Sequence, residues 1–211
     1  MQNQTDRPKI DKSTLPWLVL GAIIIGIAGF TLWSTFNTNS EPIHNHESLS
    51  VPDFTFTNQQ AQSFGLTNLE GKIWVANFIF TNCPTICPKM TQKMAELQSE
   101  FENEPVYFVS FTVDPDRDTT EVLSEYAKRY AADEKRWHFL TGDKQQIYQL
   151  ANEGFRLAAS PHGNGFPHSS KFALVRPDGK VHDYYDSQYS LIQSKATLKK
   201  LSSDIRTLLN Q

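Results

Sequence analysis

Ile73-Trp-Val-Ala-Asn-Phe-Ile-Phe-Thr-Asn-Cys-Pro-Thr-Ile-Cys-Pro-Lys-Met90 decides how this 211-residue chain folds. Ile73–Phe80 is a near-continuous apolar run, the pattern of a strand buried on both faces of a sheet. Met90, Met94, Leu97 and Phe101 follow at spacings of 4, 3 and 4, which marks one face of a helix. Val106–Val113 is a second apolar run. Strand, helix and strand in that order point to an α/β fold.

Working outward, a further helix is expected over Thr119–Ala132, with Val122, Leu123, Tyr126 and Tyr130 facing the core. A short strand, Trp137–Leu140, precedes a helix from Asp143 to about Glu153. Lys171–Arg176 and Lys180–Tyr185 flank Pro177-Asp178-Gly179, turn chemistry that predicts a hairpin. A last helix, Ser190–Asn210, would use Leu191, Leu198, Leu201, Ile205 and Leu208. Phe54 and Phe56 alternate in a small strand near the start. The expectation is an α/β thioredoxin-like sandwich over residues 51–211, with an N-terminal hairpin extension.

Residues 1–50 do not read as globular. Ser13–Ser40 carries no charge, and Pro16–Phe36 supplies 21 mostly apolar residues bracketed by Trp17 and Trp33. A bilayer core needs about 20 residues of helix, and tryptophan favours the interface. A signal peptide would have a shorter apolar run and a small-residue cleavage site, whereas Leu32-Trp-Ser-Thr-Phe36 is bulky. A retained transmembrane anchor at 16–36 is therefore expected. Arg7, Lys9 and Lys12 precede it and no Lys or Arg follows until Lys72. The positive-inside tendency keeps residues 1–15 in the cytoplasm and exports the remainder. No Arg-rich transit segment is present, which favours a bacterial plasma membrane. Residues 37–50 read as a flexible tether, in which His44 and His46 are most simply solvated.

Twenty Lys+Arg against 23 Asp+Glu leaves a net charge of −3, without the basic footprint of a nucleic-acid binder. Two cysteines supply neither a disulfide scaffold nor a four-thiolate zinc site. What they supply is local. Cys83 and Cys87 stand where the first buried strand gives way to the helix, and Pro88 suits a first helical position, so Cys87 is expected at the N-cap. The residue before a proline is pushed out of the helical region, which applies to both cysteines. Both thiols should then point out at the C-terminal end of a strand, where open α/β sheets place their sites. The positive end of a helix favours thiolate, which is both nucleophile and metal ligand. Two soft thiolates suit Cu(I). They could equally close a disulfide in an oxidising compartment, although a five-residue turn constrains little chain entropy.

A third ligand would come from the histidines. His138 lies inside an apolar strand and His182 on a hairpin strand. His162 and His168 lie in the long loop Ser160–Ser170, which enters the strand beginning at Lys171, beside the dithiol in a thioredoxin-like topology. Geometry alone places His168 first and His162 second, with an ordinary loop histidine close behind. Asp114, Asp116 and Asp118 follow the second buried strand; turn and helix-capping roles suit them better than a metal site.

Three segments, in order, resemble the signature of the Sco/SenC copper proteins: Asn77-Phe-Ile-Phe-Thr-Asn-Cys-Pro-Thr-Ile-Cys-Pro-Lys-Met-Thr91, Val109-Ser-Phe-Thr-Val-Asp-Pro-Asp-Arg-Asp-Thr119 and His168-Ser-Ser-Lys-Phe-Ala-Leu-Val-Arg-Pro-Asp-Gly-Lys180. The likeness runs from about Val51 to Asn210. It implies one copper ion, Cu(I) or Cu(II), held by Cys83 and Cys87 as thiolates and His168 as imidazole. It also implies a role in maturing the dinuclear copper site of cytochrome c oxidase subunit II, by delivering copper received from a donor or by reducing the client's cysteines. Phe166-Pro167 departs from the acidic residue expected before the histidine.

The rival reading is an extracytoplasmic thiol–disulfide oxidoreductase with Cys83 and Cys87 as its redox pair. Three residues between the cysteines depart from the usual redox spacing, and His168 has no necessary place in that chemistry. A peroxidase or a purely structural anchor protein explains fewer of these residues.

Overall fold

The computed structural model describes Gly26 and residues 49–157, 170–186 and 191–211. The chain divides into two units, Met1–His46 and Glu47–Gln211, and the second carries the sheet. Its strands are Thr55–Asn58 (β1), Ser63–Gly65 (β2), Ile73–Ile79 (β3), Val106–Thr112 (β4), Trp137–Thr141 (β5), Lys171–Val175 (β6) and Val181–Asp186 (β7). They form one mixed sheet in the order β2-β1-β5-β4-β3-β6-β7. The helices are Ile86–Glu100 (α1), Thr120–Arg129 (α2), Lys144–Gln149 (α3) and Leu191–Leu209 (α4).

The apolar runs became the central parallel strands because neither face of them meets water. All seven residues of β3 are buried. Register places Ala76 opposite Val109, Asn77 opposite Ser110 and Phe78 opposite Phe111, so the two faces of the sheet can be read directly. One face carries Trp74, Phe78 and Phe111, on which Phe54, Phe56 and Phe155 pack; the Phe78 and Phe111 rings stack at 5.0 Å. The other carries Phe108, Ser110, Trp137 and Phe139, with Tyr126 of α2 edge-on to Phe139 at 5.9 Å. A polar thread runs through that second layer: Trp137 Nε1 donates to Ser110 Oγ at 3.1 Å, and Ser110 donates to Asn77 Oδ1 at 2.7 Å. Buried polar groups need such partners.

The N-terminal hairpin extension is β1–β2, antiparallel, and it joins the sheet through β5. The Pro177-Asp178-Gly179 turn joins β6 to β7 as expected, with Gly179 at φ 75°, where a side chain would be strained. β6 runs antiparallel to β3, pairing Ala173 with Ala76. That pairing carries the start of β6 toward the end of β3, where the cysteines lie.

Three expectations fail locally. Val122 is 37% exposed, because the α2 face that meets the sheet is centred on Leu123, Tyr126 and Ala127. The helix expected from Asp143 to Glu153 is α-helical only to Gln149 and passes into a π turn at Leu150–Gly154. At Gly154 a Cβ would meet Pro52 at 2.7 Å, so close packing there requires glycine. Cys87, expected at the N-cap, lies inside α1, whose N-cap is Thr85. Among the described residues no helix is long and apolar enough to cross a membrane. Pro16–Phe36, the expected anchor, lies outside the described residues except for Gly26.

Candidate metal and redox site

Sheet pairing of β3 with β4 ends at Ile79 and Thr112, and the chain leaves through Thr81-Asn82-Cys83-Pro84 into α1. The helix starts earlier than the proline pattern predicts. Thr85 is its N-cap, Ile86 its first residue, and Cys87 and Pro88 both lie within the first turn. Cys87 is therefore helical despite preceding a proline. Pro88 costs no hydrogen bond there, because the first four helical N–H groups have no partner inside the helix.

Those orphan N–H groups explain the shift. Thr85 makes no side-chain cap. The Cys87 N–H instead donates to Cys83 Sγ at 3.4 Å, and the Thr85 hydroxyl lies 3.9 Å from the same sulfur. Cys83 thus caps the helix with its sulfur. The two thiols are free, and both are buried rather than pointing outward, 4% and 3% exposed.

Capping and burial together divide the pair electrostatically. Burial pushes the Cys83 thiol up, but backbone hydrogen bonds from Cys87, Thr85 and Ile86 outweigh it and the net shift is downward. Cys87 lies deeper and is pushed up to about 12 by burial. A backbone hydrogen bond with Phe80 opposes that rise, while Cys83 and Asp118 add to it. Cys83 therefore ionises more readily than Cys87. Behind Cys87, the Thr91 hydroxyl donates to the Cys87 carbonyl at 2.9 Å and pairs with the Tyr126 hydroxyl at 2.9 Å.

The acidic loop takes up turn and capping roles. Thr119 caps α2 by accepting from the Val122 N–H at 3.4 Å. Asp114 pairs with Arg117 at 3.4 Å, and Asp116 with Lys144 at 2.6 Å. Asp118, 1% exposed, turns inward to the dithiol turn: its carboxylate accepts from the Thr81 N–H at 3.0 Å, from the Thr81 hydroxyl at 2.5 Å and from the Thr112 hydroxyl. Sequence reasoning missed this contact, which joins residues 37 apart and has no local signal.

His138 is a core residue, as the strand pattern suggested. Its ring lies 4.1 Å from that of Phe64, and burial, with Lys72 opposing and Asp133 favouring charge, holds its pKa down at about 4. His182 is half-buried on β7. His44, His46, His162 and His168 lie outside the described residues, as does Phe166-Pro167. Among the described residues no cluster of three metal-binding side chains occurs. Ser170, two residues after His168, is buried and donates to Asp186 at 2.6 Å.

The family model SCO1/SenC matches residues 44–203. The chain is 42% identical over 162 residues to the SCO1 protein homolog of Bacillus subtilis, covering 71% of this chain and 84% of the other. It is similar in structure to BsSco, a member of the Sco family of cytochrome c oxidase assembly proteins, with TM-score 0.67 and 35% identity over 79% of this chain and 96% of that one. The fold also matches Arabidopsis thaliana ScoI, solved with copper bound, with TM-score 0.62 and 24% identity over 76% and 99% of the two chains.

Proposed function

The chain belongs to the SCO1/SenC family, and on that footing we propose that it binds one copper ion as cargo for the dinuclear site of cytochrome c oxidase subunit II. Cys83 and Cys87 are the thiolate ligands in this reading and His168 the imidazole. The observation that carries it is the pair of free thiols held on one turn, with the Cys87 N–H on the Cys83 sulfur. The donor set fits copper: two thiolates suit Cu(I), and an imidazole makes Cu(II) tolerable. β6 supports His168 as the third ligand, because its pairing with β3 brings Lys171 toward the dithiol turn, three residues after His168 in the chain.

Loading requires the Cys87 thiol to give up its proton, whereas Cys83 is the better prepared ligand. Copper then leaves by exchange of these ligands for the paired cysteines of the client. We place the domain outside a bacterial plasma membrane on the Pro16–Phe36 anchor, with residues 37–50 as the tether. A tether of about 14 flexible residues reaches roughly 20 Å, enough for a membrane-bound client.

The unequal thiols also favour a second reading, in which the pair keeps the client's cysteines reduced. The Cys83 thiolate attacks the client disulfide and forms a mixed disulfide, expelling one client thiolate. Cys87 loses its proton and attacks Cys83 Sγ, releasing the second client thiolate. The client gains two electrons, and the Cys83–Cys87 disulfide is the oxidised product.

Anaerobic Cu(I) titration of the reduced chain against a competing chelator separates the two, with Cys83→Ala, Cys87→Ala and His168→Ala alongside. One tight equivalent, lost or sharply weakened in each variant, is expected for the copper reading. Weak binding indifferent to His168 would refute it and leave the dithiol exchange reaction.

A further inference from the structure

We infer that Asp118 is a positioning residue for the dithiol turn, its carboxylate fixing through Thr81 where Cys83 stands. This rests on the reading that Cys83 and Cys87 are the reacting pair. The pairing of β3 with β4 stops at Ile79, so the Thr81 N–H has no ladder partner and needs another acceptor. Asp118 supplies it, reaching back from the loop between β4 and α2.

The carboxylate is shared closely. Oδ2 accepts the Thr81 N–H and the Thr112 hydroxyl, and Oδ1 accepts the Thr81 hydroxyl. Thr112 in turn accepts the Asp114 N–H at 3.0 Å, and the Asp118 N–H donates to the Asp114 carbonyl at 2.9 Å, so the loop holding the carboxylate is itself fixed. Two residues beyond Thr81, the Cys83 N–H donates to the Phe80 carbonyl at 3.3 Å. The turn is thus held on both sides of Asn82, and Cys83 Sγ is delivered to the Cys87 N–H. Hydrogen bonds to charged groups are the strong ones, and a buried carboxylate deprived of them is costly.

Two simpler roles fit less well. Thr119 already caps α2, so Asp118 is not needed there. As a direct copper ligand, Asp118 would have to surrender one of three donors, because both of its oxygens are engaged.

The test uses the full chain with Thr81→Val, Thr81→Ser, Asp118→Asn and Asp114→Asn. Cu(I) affinity is read by chelator competition, and the copper-free position of the turn by hydrogen exchange of the Cys87 amide. Thr81→Val and Asp118→Asn are expected to weaken Cu(I) binding about tenfold and to speed Cys87 amide exchange about tenfold, while amides in β4 exchange at the original rate. Thr81→Ser, which keeps the hydroxyl, and Asp114→Asn, on the same loop, should leave both within twofold. Loss in Asp118→Asn with Thr81→Val unchanged would overturn the inference in favour of a direct ligand. Equal losses in Asp114→Asn and Asp118→Asn would overturn it in favour of general charge. Should the wild-type chain fail to bind copper, the exchange rates still decide the point, since they need no metal.

Discussion

Loading copper onto this site should release a proton from Cys87, and the effect is large enough to measure. Its pKa is raised from 9.0 to about 12, which corresponds to about 4 kcal/mol favouring the thiol. Between about pH 7.5 and 9.5 such a group stays almost wholly protonated, so a copper ion that takes the thiolate displaces nearly one full proton. Affinity should therefore rise about tenfold per pH unit from Cys87 alone. Cys83, shifted down, ionises more readily than Cys87 and so releases less than a full proton on loading. The slope of log affinity against pH is therefore expected to be no lower than about one across the range. Competition against a chelator of known pH dependence gives the slope. Calorimetry in buffers of different ionisation enthalpy gives the proton count independently. A slope near zero across the range would refute the reasoning, because it would mean that both thiols are already ionised in the reduced protein.

Two further perturbations test the core. His138 is held at about 4 against an ordinary 6.5, so its neutral form contributes stability present above pH 6.5 and lost as pH falls through 4, about 3 kcal/mol in full. Urea unfolding of His138→Phe should show that much less acid sensitivity over this window, and an unchanged pH profile would locate the acid-labile group elsewhere. Ser110→Ala leaves both Trp137 Nε1 and Asn77 Oδ1 without the partner they share, at a cost of about 2–4 kcal/mol. The urea midpoint should fall with copper affinity unchanged; a neutral substitution would show that the two groups find each other or another partner.

The layout of the sheet was legible because hydrophobic runs and turn residues act locally. β3 and β4 match their apolar runs to within a residue at the C-terminal end, and Pro177-Asp178-Gly179 marks its hairpin. Cys83 and Cys87 stand on the strand-to-helix junction where the alternation of patterns put them. What escaped was set by competition between local rules and tertiary contacts. The preference of a residue before proline is modest, and here the unsatisfied N–H groups of α1 found a sulfur acceptor, which drew Cys87 into the helix. Burial then split the two thiols, a difference invisible in residues that share a helix end. Asp118 looked like a capping residue because Asp before a helix usually is; its bond to Thr81 depends on two loops meeting at one end of the sheet.

The end of the sheet opposite the cysteines has a stitch of its own. Ser50 bridges Lys180, the Val51 N–H donates to the Gly179 carbonyl and the Val181 N–H to the Leu49 carbonyl, while Gly71 donates to Pro177. Two stretches of chain, Leu49–Val51 and Gly71, are thereby tied to one turn. For anyone trimming the protein to its smallest folding piece, this sets the cut. A chain beginning at Pro52 would remove Val51, 3% exposed, from the core and bare the outer backbone of β7 at Val181. Such a bare strand edge invites another chain to pair with it. Leu49 to Val51 serve as a hem on the sheet, and unpicking it should turn a well-behaved domain into a sticky one.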